Sequence, residues 1–110
     1  MAGTYRVLLT EGAERDLEDI VDYIDEFHGP ERAGHMLEEL LSTAGQLASL
    51  PERGSHPREL LELGIKDYRQ VFFKPYRLIY RVLKHDVILF MIADGRRDMP
   101  SLLSRRLLGG

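Results

Sequence analysis

The chain has 110 residues, enough for one hydrophobic core and too few for two domains of ordinary size, so residues 1–110 are read as a single domain. With 44% hydrophobic and 30% charged residues it has the balance of a folded chain rather than a disordered one, and having no cysteine it forms neither disulfides nor a thiolate metal site. The net charge of −3 is unevenly spread: 3 basic and 12 acidic residues up to Glu52 (−9), then 12 basic and 6 acidic (+6), a pattern that suits a basic surface meeting an acidic partner.

Met1 to Thr10 carries no basic stretch followed by an apolar one, and no apolar run nears the roughly 20 residues that a bilayer span needs. A cytoplasmic location without a membrane role is expected. The first element is a strand over Tyr5 to Leu9, with Tyr5, Val7 and Leu9 on one face. Thr10 stands at an N-cap position, and Ala13, Leu17, Ile20, Val21, Ile24 and Phe27 form the apolar stripe of a helix whose other face is acidic. Gly29 and Pro30 end this helix and begin a second, with a stripe from Ala33 to Ala48 that stops before Pro51.

Pro51 to Gly64 reads as a connector, with a possible helical turn over Glu59 to Leu63. Three strands follow, Tyr68 to Phe73, Tyr76 to Leu83 and Val87 to Ala93, joined by turns short enough for a meander. In the middle strand Tyr76, Leu78, Tyr80 and Val82 face one way, and Arg77, Ile79, Arg81 and Leu83 the other. The third is apolar on both sides, as a central strand covered above and below would be. After Asp94-Gly95-Arg96-Arg97, Asp98 is placed to cap a short final helix carrying Arg105 and Arg106. The order β-α-α-β-β-β-α predicts an α+β fold with a helical hairpin packed on a mostly antiparallel four-stranded sheet.

This order, together with "YRVLLTEGAERDLEDIVDYI" (Tyr5 to Ile24), "YRLIYRV" (Tyr76 to Val82) and "DGRRD" (Asp94 to Asp98), resembles the RelE/ParE toxins of type II toxin–antitoxin systems, closer to ParE than to RelE. The resemblance implies one of two activities: stabilising the complex of DNA gyrase with cleaved DNA, as ParE does, or cutting mRNA on the ribosome, as RelE does. Arg77 and Arg97 match the phosphate-contacting arginines of the nucleases, and bidentate guanidinium groups suit a crowded phosphate. RNA cleavage also needs a base and a donor for the leaving oxygen. The strand over Tyr68 to Phe73 lacks the paired lysines of that branch, the catalytic tyrosine of the final helix falls near Leu103, and no His-Tyr terminus is present. A nuclease site would then rest on Arg77, Arg97 and Tyr80, or on Tyr76 in its place, provided that the tyrosine lies beside Arg97.

The gyrase reading is therefore preferred, with no catalytic residue, and with Arg96, Arg97, Arg105 and Arg106 expected to meet the target unless Asp94 and Asp98 pair with them. An antitoxin partner is also implied. It is expected to meet Arg77 and Arg81 and to cover Ile79 and Leu83, unless the final helix or a second copy covers that face. No cofactor or metal is expected, because His28, His35, His56 and His85 are scattered and no pair has convincing ligand spacing.

Overall fold

The computed structural model describes residues 4–109. Strand β1 (Arg6–Leu9) leads into helix α1 (Glu11–His28), where the Thr10 hydroxyl caps the first turn by accepting the Ala13 N–H at 3.1 Å. Gly29 ends α1 by donating its N–H to the Asp25 carbonyl, and Pro30 opens α2 (Pro30–Gly45). This helix stops short of Ala48, because Gln46–Ala48 tighten into a 3₁₀ turn that keeps Leu47 buried. The helical turn of the connector, α3 (Arg58–Leu61), begins one residue earlier than the sequence suggests. Strands β2 (Arg69–Phe73), β3 (Tyr76–Leu83) and β4 (Asp86–Asp94) form the meander, and Asp98 caps α4 (Met99–Leu107) by accepting the Ser101 N–H at 3.3 Å.

The sheet runs β1-β4-β3-β2, with β1 parallel to β4 and the other pairs antiparallel. Crossing through the α1–α2 hairpin is what lets the first strand return parallel to the last. On one face the hairpin buries Ala13, Leu40, Ala44 and Leu47 against Leu78, Tyr80, Val87, Leu89 and Ile92. Tyr80 is fully buried there: its hydroxyl donates to the Pro51 carbonyl at 2.7 Å and accepts the Gly54 N–H at 3.0 Å, which fastens the connector to the sheet.

The second face is covered by the chain itself over half its length. Leu60 of α3 and Met99, Leu102 and Leu103 of α4 pack on Tyr68, Ile79, Met91 and Ala93. Ile79 consequently has no exposed surface, and the expectation that it is open to an antitoxin is corrected: the final helix takes that place. The cover ends before the row Leu8, Ile88 and Arg81, and both Leu8 and Leu83 stay 40% exposed.

One irregularity ties the two faces together. The register of β3 on β4 steps from Ile79 opposite Met91 to Tyr80 opposite Leu89, so Phe90 bulges without a partner on β3. β1 ends at Leu9, opposite Leu89, and past it the outer edge of β4 has no strand neighbour. Side chains complete that edge. The Thr10 hydroxyl donates to the Phe90 carbonyl at 3.3 Å, and Asp16 of α1 accepts the Ile92 N–H at 3.0 Å. Arg106 of α4 then grips both oxygens of Asp16 at 3.0 Å and donates to the Phe90 carbonyl at 3.2 Å. A Cβ on Gly12 would sit 2.7 Å from that guanidinium, so glycine leaves the room the clasp needs.

Candidate functional site at the basic end of the sheet

The candidate residues converge where β4 ends. Gly95 donates to the Pro75 carbonyl at 2.8 Å, and the Arg97 N–H donates to the Asp94 carbonyl at 3.1 Å, which makes a tight turn between strand and helix. A side chain at position 95 would press on Arg77 Cδ at 3.0 Å, so the backbone passes close over Arg77 only because residue 95 is glycine. This turn sets Arg96 and Arg97 at the mouth of a depression of about 440 Å³ whose walls include Tyr23, Tyr76, Asp19 and Asp94, with Ile20 and Ile92 between them.

The four arginines proposed for target contact differ in what holds them. Arg96 is neutralised by its neighbour: its guanidinium donates to Asp94 Oδ1 at 2.9 Å and Oδ2 at 2.6 Å, and its own N–H donates to Oδ1 at 2.9 Å. Arg106 is withdrawn from any outer surface by its clasp on Asp16. Arg105 is exposed on α4. Arg97 is exposed too, lines the depression, and has no carboxylate in ion-pair distance among the described residues. Of the two acids expected to pair with these arginines, Asp94 does so and Asp98 instead caps α4.

The groups of a nuclease site are not brought together. Arg77 faces the opposite side of the sheet, where both terminal nitrogens donate to Glu59 at 2.9 Å and Nε donates to the Gln70 side chain at 2.9 Å. Its side chain is only 11% exposed, and the guanidinium holds the Glu59 carboxyl below its ordinary range. Tyr80 does not lie beside Arg97, since its hydroxyl is spent inside the core on Pro51 and Gly54. Tyr76 does share the depression with Arg97. Burial, reinforced by Asp94, raises the Tyr76 phenol above its ordinary value, and burial raises that of Tyr80, so neither tends toward the phenolate that a general base requires. Arg81 leans over the Tyr68 ring at 5.8 Å and donates to Asp67 at 3.3 Å, on the open part of the second face near Leu83.

The residues that sequence reasoning missed are Asp16, Glu59 and Tyr23. Asp16 had a readable signal, because it falls on the same helical stripe as Ala13, Leu17 and Ile20 although it is acidic. Glu59 had none, being a carboxylate in a connector. Tyr23 counted as part of the polar face of the first helix.

The Asp94–Arg96 pair predicts a pH effect. Hydrogen bonds from Arg96 hold the Asp94 carboxyl at about 2, below its ordinary 3.8. A depressed acid contributes stability that is complete above its unfolded value and fades as pH falls through its folded one, so the loss is spread from about pH 4 to about pH 2. Asp94→Asn should flatten the acid limb of a melting-temperature profile in that window and change little at neutral pH, where the exposed Arg96 is screened. An acid limb identical to that of the parent chain would contradict this.

The chain was compared with known proteins. The sequence model of the ParE toxin of type II toxin–antitoxin systems, parDE, matches residues 7–99. Toxin ParE3 of Caulobacter vibrioides is 27% identical over 101 residues, covering 92% of this chain and 97% of that protein. A chain of the chromosomal ParDE toxin–antitoxin system from P. aeruginosa superposes with a TM-score of 0.70 at 20% identity, covering 83% of this chain and 96% of its own. A chain of the toxin–antitoxin complex RelBE2 from Mycobacterium tuberculosis does so with a TM-score of 0.60 at 25% identity, covering 83% and 98%.

Proposed function

Because the chain belongs to the ParE toxin family of type II toxin–antitoxin systems, we propose that it acts by binding DNA gyrase and stabilising the gyrase–DNA cleavage complex, and that a cognate antitoxin neutralises it. The observation that carries the gyrase reading is the state of Arg77. A guanidinium already bound to Glu59 and Gln70 offers no charge to a scissile phosphate, whereas a binding toxin needs no chemistry of its own. Contact with the target falls to Arg97 and Arg105, the exposed arginines of the four, with Arg96 reduced by Asp94 and Arg106 serving the fold. Of the residues expected to meet the antitoxin, Arg81 and Leu83 remain accessible and join Leu8 in an open strip. This reading places the chain in the cytoplasm, beside its target.

A likeness to the toxin–antitoxin complex RelBE2 and the position of Tyr76 beside Arg97 favour ribosome-dependent mRNA cleavage as the second reading. The raised phenol of Tyr76 works against it. The test is to incubate the purified chain with gyrase and supercoiled plasmid, then denature the enzyme. Linear DNA that accumulates with toxin concentration is the expected result. Gyrase that supercoils and religates normally at saturating toxin would overturn the proposal.

A further inference from the structure

The depression beside Arg97 continues onto an aromatic surface that the fold does not use. Tyr23 and Phe27 lie one turn apart on α1, their rings 4.7 Å between centroids, and each is 60% exposed. Tyr23 forms a wall of the depression, so the apolar surface runs without a break from Phe27 through Tyr23 and Tyr76 to Ile20 and Ile92, and ends at the unpaired guanidinium of Arg97. Large side chains left in water as a contiguous patch next to a pocket mark an interaction surface rather than ordinary exposure. α1 does not need them for the core, which it builds through Ala13, Leu17, Ile20 and Ile24.

We infer that this patch is where the antitoxin anchors, by an amphipathic helix that lays one or two large apolar side chains across Tyr23, Phe27 and Tyr76 and brings a carboxylate to Arg97. The inference rests on the proposed toxin–antitoxin function. Charge decides the occupant: Asp94 and Asp16 are already neutralised by Arg96 and Arg106, which leaves Arg97 to be matched by an acid, while exposed Asp19 at the rim asks for a hydrogen-bond donor. A helix with apolar residues at a spacing of three or four and acids beside them provides both, whereas a nucleic acid would bring no apolar anchor to the aromatic rings. Such an anchor buries Arg97, the group assigned to the target, so docking and neutralisation become one event.

The test uses the full chain and the full antitoxin expressed from its own operon. Tyr23→Ala combined with Phe27→Ala removes only exposed rings, so the variant folds, and a melting temperature near that of the parent confirms it. Antitoxin affinity measured by calorimetry should fall about 30-fold, the size of loss that anchor residues show, while trapping of gyrase on DNA by the free toxin is unchanged. Affinity within about threefold of the parent would overturn the inference, as would loss of gyrase trapping with antitoxin binding intact, which would assign the patch to the target. A parent chain that is dimeric by light scattering, becomes monomeric in the variant and still binds antitoxin normally would assign it to a second copy and also overturn the inference. If the unaltered chain fails to bind antitoxin or to trap gyrase, it is the proposed function that fails, and this control separates the two.

Discussion

Replacing Asp16 by alanine is expected to lower stability by about 3 kcal/mol, a large effect for a side chain that looks like one more acid on an acidic helix. Two losses add. The N–H of Ile92, a buried residue, loses its only acceptor where β1 has ended, at a cost of about 1–3 kcal/mol. Arg106 loses both hydrogen bonds to a carboxylate while its side chain remains about three-quarters covered, and because it can still turn partly to water the penalty is below that of a fully buried charge. For a domain of this size the melting temperature should drop by about 12 °C. Asp16→Asn keeps an acceptor for Ile92 and should cost roughly half as much, and Arg106→Ala should likewise cost less than Asp16→Ala because the Ile92 N–H stays satisfied. A drop under about 1 kcal/mol for Asp16→Ala would show that β4 does not depend on the clasp.

Arg97→Glu is expected to reduce the potency of gyrase trapping about 100-fold without loss of stability. The Arg97 side chain is exposed and holds no partner in the fold, so its replacement leaves the folded chain within about 0.5 kcal/mol. Reversing a charge that meets an acidic surface removes a favourable pair and adds a repulsive one, an effect of several kcal/mol where the contact is desolvated. Arg96→Ala is the informative contrast. Asp94 already offsets that guanidinium, so potency should change by less than about threefold. Equal losses for the two variants would mean that the target senses the net charge of the turn rather than Arg97 itself.

Much of the architecture was legible in local chemistry. Thr10 as a cap, Gly29 and Pro30 as the break between helices, Asp98 as the last cap and the bounds of Tyr76–Leu83 all follow from neighbours within a few residues, and all stand where the sequence places them. The unbroken apolar run of β4 correctly announced a central strand. What was not legible depends on partners far apart in the chain. Arg77 meets Glu59 across 18 positions and Arg106 meets Asp16 across 90, so a pattern reading treats each as a free surface charge. The bulge at Phe90 is equally hidden, since nothing in Val87 to Ile92 says which residue lacks a partner. The cover over Ile79 turned on whether α4 folds back, a question of packing and not of periodicity.

The family and the fold leave the target as the central claim, and Arg77 is the residue on which it turns. The most direct measurement runs two assays on one preparation of the chain: trapping of gyrase on plasmid DNA, and cleavage of mRNA on a programmed ribosome. The account predicts linear plasmid and intact mRNA at the same toxin concentrations. Cut mRNA with gyrase unaffected would contradict it, and would mean that Arg97 and Tyr76 suffice for catalysis or that substrate binding draws Arg77 away from Glu59.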